Sequence, residues 1–478
     1  MQNGSATSSD FNQPVRVNFI SLGCAKNLVD TEKMLATLAE SGLLLVGPDD
    51  PADVTIINTC SFIESARQEA FETIEEVIEL KHTGQTGCVV VAGCLAQQWA
   101  DKLKARLPEI DAVVGLSSRA QIDRIVKELV QHPEKTANDD RVFVDSFRGP
   151  VQQDRGRLRI TDPGWAYLRI SEGCNQGCTF CTIPAIRGLF RSKDPDEILA
   201  EAAELISDGV LEINLIGQET TTFGHDINFP DGLAGLLTRL NELPDLEWLR
   251  VLYAHPASLT DPLIEAMADC DKVLPYVDLP LQHINDRLLK LMNRHINRSQ
   301  TETLIQKLRN RIKNLTLRTT LIVGFPSETD REFQELLDFI KATRFEALGA
   351  FTYSAEAGTA AARLDHHLPD DLKQQRLDQL MLAQQQIAFE QADKLVGQSL
   401  PCLLCRELPD YEVEQLNLDH QQSWFAARHP GQAPEMDSLC YLAADNSVGP
   451  DAVEPDKIVP ANITSRDDYD LLGNIQID

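Results

Sequence analysis

Residues 173–181 read GCNQGCTFC and come just after YLRIS, a strand-like run beginning at Tyr167. Cys174, Cys178 and Cys181 therefore stand in the spacing C-x3-C-x2-C. Iron–sulfur clusters are held by thiolates, and closely spaced cysteines in a glycine-containing loop let one segment wrap a cube and donate amides to its sulfurs. A saturated cube needs a fourth ligand, and no fourth cysteine lies nearby, so one iron is left open. A structural zinc site is the other reading; it too needs a fourth ligand, and the loop contains no histidine.

Downstream, strand-like runs recur as EINLIG near 212, WLRVLY near 248, YVDLP near 276, TLRTTLIVGF near 316 and ALGAFTY near 347. Six strands with helical stretches between them predict an incomplete (β/α) barrel. One helix start is written clearly, with Asp194 as N-cap, Pro195 at the first position and Glu197 in the first turn.

Upstream, three apolar runs each end in a cysteine. VRVNFISLGC reaches Cys24, DVTIINTC reaches Cys60 and CVVVAGC reaches Cys94. Helical patterning follows each, and the second helix puts Phe71, Ile74, Val77 and Ile78 on one face. Strands alternating with helices predict a doubly wound parallel α/β sheet. Such sheets gather ligands at the carboxyl ends of their strands, so Cys24, Cys60 and Cys94 belong at one edge although about 35 residues separate neighbours. Cys88 opens its strand instead, about 20 Å from Cys94 at about 3.3 Å per residue, and reads as a buried structural thiol.

Length and charge bound the rest. The 478 residues carry 44 Lys and Arg against 73 Asp and Glu, a net charge of −29, and 43% are hydrophobic. That balance predicts several globular domains and excludes disordered, collagenous and disulfide-scaffold classes. No apolar run reaches the roughly 18 residues of a membrane span. The opening MQNGSATSSD lacks a basic region and an apolar core, so it reads as a mobile tail, and eleven cysteines without a secretion signal predict reduced thiols in the cytoplasm. The expected organisation is a flexible tail over 1–13, a cysteine-bearing sheet domain over 14–135, a linker over 136–163, the incomplete barrel over 164–395 and a small OB-like β-barrel over 396–478. A Gln-rich helix at 370–395, ending near Gly397, joins the last two.

The motif at 174–181 resembles that of the radical S-adenosylmethionine (SAM) superfamily, in which it opens a partial TIM barrel. The resemblance implies a [4Fe-4S] cluster whose open iron is chelated by SAM, and reductive cleavage of SAM to a radical that abstracts hydrogen. Three strand-end cysteines, a radical SAM barrel and a terminal β-barrel together resemble the methylthiotransferase family along nearly the whole chain. That family implies a second [4Fe-4S] cluster on Cys24, Cys60 and Cys94, again with an open iron, and a terminal TRAM domain. The strings SLGCAKNLVD (21–30), NTCSFIESA (58–66), EGCNQGCTFCTIPAIRG (172–188), VDLPLQH (277–283) and APEMD (433–437) resemble the branch that methylthiolates an aspartate of ribosomal protein uS12 more than the branch that modifies an adenosine of tRNA. The chain departs from that pattern at Ala25, Ala185 and around Trp424–His429. The implied partners are the basic protein uS12 and an external electron donor, with no membrane and no nucleic-acid substrate. The alternatives are the tRNA enzyme and a non-catalytic iron–sulfur carrier.

Charge supplies a separate argument: residues 396–478 hold 15 acidic and 4 basic side chains, a net −11, which should repel RNA and attract a basic protein. Acidic surfaces also serve solubility alone. Gln218 and Glu219, just past the second barrel strand, lie beside SAM by resemblance, the alternative being a polar loop cap; Gly324 in LIVGFPSET would let backbone approach a nucleoside closely, the alternative being a simple turn. Tyr253, His255, Gln282, His283 and Tyr353 sit at strand ends and read as wall residues. Arg187, Arg191 and Lys193 either orient a substrate carboxylate or form a solvated basic run. Cys402, Cys405, Cys270 and Cys440 read as core thiols.

Overall fold

The computed structural model describes residues 14–132, 141–146, 149–444 and 453–476; the tail expected over 1–13 lies outside them. The chain divides into two compact units, the first comprising residues 1–148 with 156–158 and 185–187, the second the remainder.

The first unit is built on six parallel strands: β1 (Arg16–Ser21), β2 (Leu44–Leu45), β3 (Ala52–Thr59), β4 (Thr86–Gly93), β5 (Ala112–Val114) and β6 (Val142–Phe143). Their order is β2-β1-β3-β4-β5-β6. Alternation assigns the faces: Val54, Ile56, Val90 and Ala92 meet the helices Ala25–Glu40 and Ile122–Gln131, whereas Ile57, Val89 and Val91 meet Glu64–His82 and Cys94–Arg106. With both faces covered, the strands carry near-continuous apolar runs. Cys88 is buried in the first of these layers. Strand β6 lies within the stretch read from sequence as a linker, where two apolar residues are too few to register as a strand.

The second unit begins with β7 (Trp165–Arg169), followed by the two-residue strands β8 (Ser171–Glu172) and β9 (Arg191–Ser192), which pair with each other and bracket the cysteine loop. Then come β10 (Glu212–Ile216), β11 (Trp248–Val251), β12 (Val273–Asp278), β13 (Thr316–Val323) and β14 (Ala347–Thr352). The order β14-β13-β12-β11-β10-β7 is an open, all-parallel six-stranded sheet, matching the six strands expected. Asp194 caps the helix Pro195–Ser207 by accepting from the amides of Asp196 and Glu197.

The helix Asp370–Asp393 leads into a closed barrel of β15 (Ser399–Glu407), β16 (Ser423–Arg428), β17 (Cys440–Ala444), β18 (Ile458–Asp467) and β19 (Asp470–Ile475). Cys402 and Cys440 are buried in its core; Cys405, also buried, lies beside Arg428 instead. The connection between β16 and β17 reaches the polar residues of the open sheet. Tyr167 donates to Pro434 O and Glu435, Tyr276 donates to Asp437, and Arg250 donates to Pro430 O.

Candidate functional site

In the first unit the strand registers decide the geometry. Ser21 lies beside Asn58, and Thr59 beside Gly93, so the chain leaves β1, β3 and β4 at one edge carrying Cys24, Cys60 and Cys94. Cys24 caps the helix Ala25–Glu40, and Cys94 opens the helix Cys94–Arg106. Glycine precedes two of the three cysteines for a steric reason. Gly23 and Gly93 both have left-handed φ, and a Cβ would come within 2.7 Å of Cys60 Cβ at Gly23 and 2.3 Å of Asn58 Oδ1 at Gly93.

A buried polar web fixes this edge. Asn27 Nδ2 donates to Leu22 O and Thr59 O, and Asn58 Nδ2 donates to Asn27 O and Thr31 Oγ1. Arg187 reaches Asn27 Oδ1 at 3.1 Å, Asp30 Oδ2 at 3.0 Å and Cys94 Sγ at 3.3 Å. Burial pushes the Cys94 thiol up to about 12 against the pull of Arg187, and burial and then Cys24 raise Cys60. Crowding also raises Cys24, but Lys26 and Arg187 outweigh it and hold this exposed thiol below its usual value.

In the second unit, Cys174, Cys178 and Cys181 sit in the loop after β8. The amide of Gln176 donates to Cys174 Sγ and that of Ile183 to Cys181 Sγ, each at 3.5 Å. Burial raises Cys174 to about 11 and Cys181 to about 12. Among the described residues no three His, Cys, Asp or Glu close around a single metal ion. Within each trio, however, the thiols perturb one another electrostatically, and each trio is all-sulfur. That donor set suits an iron–sulfur cluster, whose several irons spread the ligands apart.

Residues 168–340 match the radical SAM superfamily, and residues 16–115 match the uncharacterized protein family UPF0004. The chain is 39% identical over 462 residues to ribosomal protein uS12 methylthiotransferase RimO of Clostridioides difficile (strain 630), covering 96% of this chain and 99% of that one. The chain belongs to the RimO family. A second RimO, from Syntrophomonas wolfei, is 38% identical over 97% of this chain and 100% of its own. The radical SAM methyltransferase TsrM of Kitasatospora setae superposes with a TM-score of 0.52 over 81% of each chain at 15% identity, a likeness of fold alone.

The remaining candidates of this RimO-family chain fall into distinct places. Gln218 Oε1 accepts from the amide of Gly173, and its Nε2 donates to Glu172, so it braces the start of the cysteine loop. Buried Glu219 accepts from the hydroxyls of Thr221 and Thr222 and from the amide of Thr222, and its charge is felt at Cys174. Gly324 has φ +73, and the space a Cβ would take is filled by the Lys373 stem, 2.4 Å away at Cγ, so both the backbone and the packing favour glycine. Arg187 and Lys193 are buried in ion pairs, Lys193 with Asp154 and Glu201, so these two are not solvated, while half-buried Arg191 donates to Gly149 O. His255, His283 and Tyr353 are buried, while Tyr253 and Gln282 take left-handed φ.

Sequence reasoning missed Asn293 and Arg294. Asn293 Nδ2 donates to Gly177 O at 2.9 Å, and Arg294 Nη1 reaches Cys178 Sγ at 3.4 Å. These residues lie more than 110 positions beyond the loop they hold, and their only signal was a polar pair following the short helix Asp286–Leu291.

Proposed function

We propose that this chain is a cytoplasmic enzyme that methylthiolates the β-carbon of an aspartate in ribosomal protein uS12. SAM serves both as methyl donor and as radical source. Cys24, Cys60 and Cys94 would hold one [4Fe-4S] cluster, and Cys174, Cys178 and Cys181 another. The observation that carries this reading is the pair of all-sulfur trios, each following parallel strands, in a chain of the RimO family. With a cluster and SAM bound at the second trio, the chemistry supplied is reductive SAM cleavage and hydrogen abstraction from an unactivated carbon.

The chain's own residues bind, orient and enclose. Gln218 and the amides of Gln176 and Ile183 fix the cysteine loop around its ligand positions. Arg187, anchored by Asp30, places a guanidinium against Cys94, one of the three residues that would hold the first cluster. The β16–β17 connection covers polar side chains of β7, β11 and β12, which limits water there. An external donor supplies electrons.

The net −11 of residues 396–478 favours a basic protein over tRNA as substrate. Mass spectrometry of uS12 and of tRNA from a deletion strain separates the two readings. Loss of the aspartate modification supports the proposal; its persistence alongside loss of a tRNA modification overturns it. Cys178→Ala should abolish 5′-deoxyadenosine formation by the reconstituted enzyme, while Cys60→Ala should spare it and stop sulfur transfer. A wild-type enzyme forming no 5′-deoxyadenosine would point to a carrier.

A further inference from the structure

Arg294 is buried. It is delivered to the cysteine loop by four anchors. Thr179 donates its amide to Met292 O and its hydroxyl to Leu291 O, and Asn293 Nδ2 donates to both Gln176 O and Gly177 O. Arg294 Nη2 then donates to Pro280 O, Nη1 points at Cys178 Sγ from 3.4 Å, and Nε is buried without a partner. Among the described residues no carboxylate forms an ion pair with it, although most buried arginines of this chain, such as Arg169, Arg187, Arg250 and Arg376, have one. A buried cation without a counter-ion is costly, so its natural anion is the sulfur set it faces. Its field reaches Cys174 and Cys181 as well as Cys178.

We propose that Arg294 sets the reduction potential of the cluster held by Cys174, Cys178 and Cys181. It acts as a positioning and tuning residue and not as a catalytic one. The inference rests on the cluster reading of these three cysteines given above. Three thiolates on a dipositive [4Fe-4S] core leave one net negative charge, and the single electron from the external donor adds a second. A fixed cation stabilises the more negative, reduced form by the larger amount, so it raises the potential and eases electron entry. The hydrogen bond to Cys178 acts in the same direction, because it draws charge from the sulfur.

The test is an EPR-monitored dithionite titration of the full-length, anaerobically reconstituted protein. A Cys60→Ala/Cys94→Ala background leaves one cubane signal to read. Arg294→Met should lower the ratio of reduced to oxidised cluster at a fixed poise about tenfold, a change typical of losing a charged hydrogen bond and equal to 59 mV for one electron. Arg294→Lys keeps the charge and should stay within about threefold of the parent. A Met variant that keeps its iron and matches the parent within threefold overturns the inference. If Met loses its iron, Arg294→Gln is read by the same criterion, and loss of iron from both means that Arg294 assembles the site and does not tune it. A parent protein that takes up no cubane at all refutes the cluster reading itself, and is recognised by iron content before any titration.

Discussion

Glu212→Gln tests how the open sheet is tied to the terminal β-barrel. Glu212 opens β10 and is fully buried; Oε1 lies 2.9 Å from Arg250 Nε, and Oε2 lies 2.6 Å from Arg428 Nη2 in β16. Burial pushes this carboxyl up, but Arg428 and Arg250 outweigh it and hold it below the ordinary 4.5. The substitution keeps the shape and leaves two buried guanidinium groups without their carboxylate. Breaking a buried pair costs about 3–5 kcal/mol. The low end applies, because Arg250 keeps Pro430 O and the face of Tyr276, and Arg428 keeps Gln432 O. A loss of about 3 kcal/mol, at about 2 °C per kcal/mol for a large unit, lowers Tm by about 6 °C. Calorimetry at pH 7.5 reads this directly. The sign with pH is fixed: a carboxyl depressed in the folded state contributes fully above its unfolded value near 4.5, and that contribution is lost as pH falls through the folded value. The gap between wild type and variant should therefore close in acid. The double variant Glu212→Gln/Arg428→Met should regain part of the loss by removing one orphaned cation. A single variant melting within about 1 °C of wild type would refute this account of the junction.

Gly93→Ala should cost more than about 2 kcal/mol and strip iron from the Cys24, Cys60 and Cys94 set, because the added carbon meets Asn58 Oδ1 and Thr59 O at a left-handed φ. Gly84→Ala, also left-handed but facing open space, should cost about 1 kcal/mol and leave iron content unchanged; equal effects in the two variants would count against a steric role for Gly93. Binding of uS12 should weaken about tenfold between about 0.05 and 0.3 M salt by calorimetric titration, and a salt-insensitive complex would exclude docking through the acidic barrel.

The strand-end cysteines were legible because one topological rule converts a linear pattern into a spatial one. Parallel strands joined by helices must end at a common edge, and Cys24, Cys60 and Cys94 all follow strand ends, while Cys88 lies inside β4 near its start, two residues after Thr86. The glycines beside them were present in the same strings, but their necessity depends on how closely β1, β3 and β4 approach. Arg294 was not legible, since its role depends on a loop returning to the cysteines from across the sheet. Arg187 and Lys193 were legible as charges, but whether they met water or carboxylates depended on Asp30, Asp154 and Glu201, which are distant in sequence from Arg187 or placed by folding.

The terminal domain shows where a charge count needs correction by burial. Its net −11 treats every carboxylate as available to a partner. Glu435 instead accepts from Tyr167, and Asp437 accepts from Tyr276 and lies 3.4 Å from Arg318, so both belong to the junction with the open sheet. Arg428, one of the four basic residues, is likewise turned inward onto Glu212. Setting these three aside removes two negative charges and one positive, leaving a field nearly as acidic as the sequence implied. On the proposed reading, docking of a basic protein would depend on the carboxylates left outside the junction, and neutralising Glu435 or Asp437 should alter stability before it alters the salt dependence of binding.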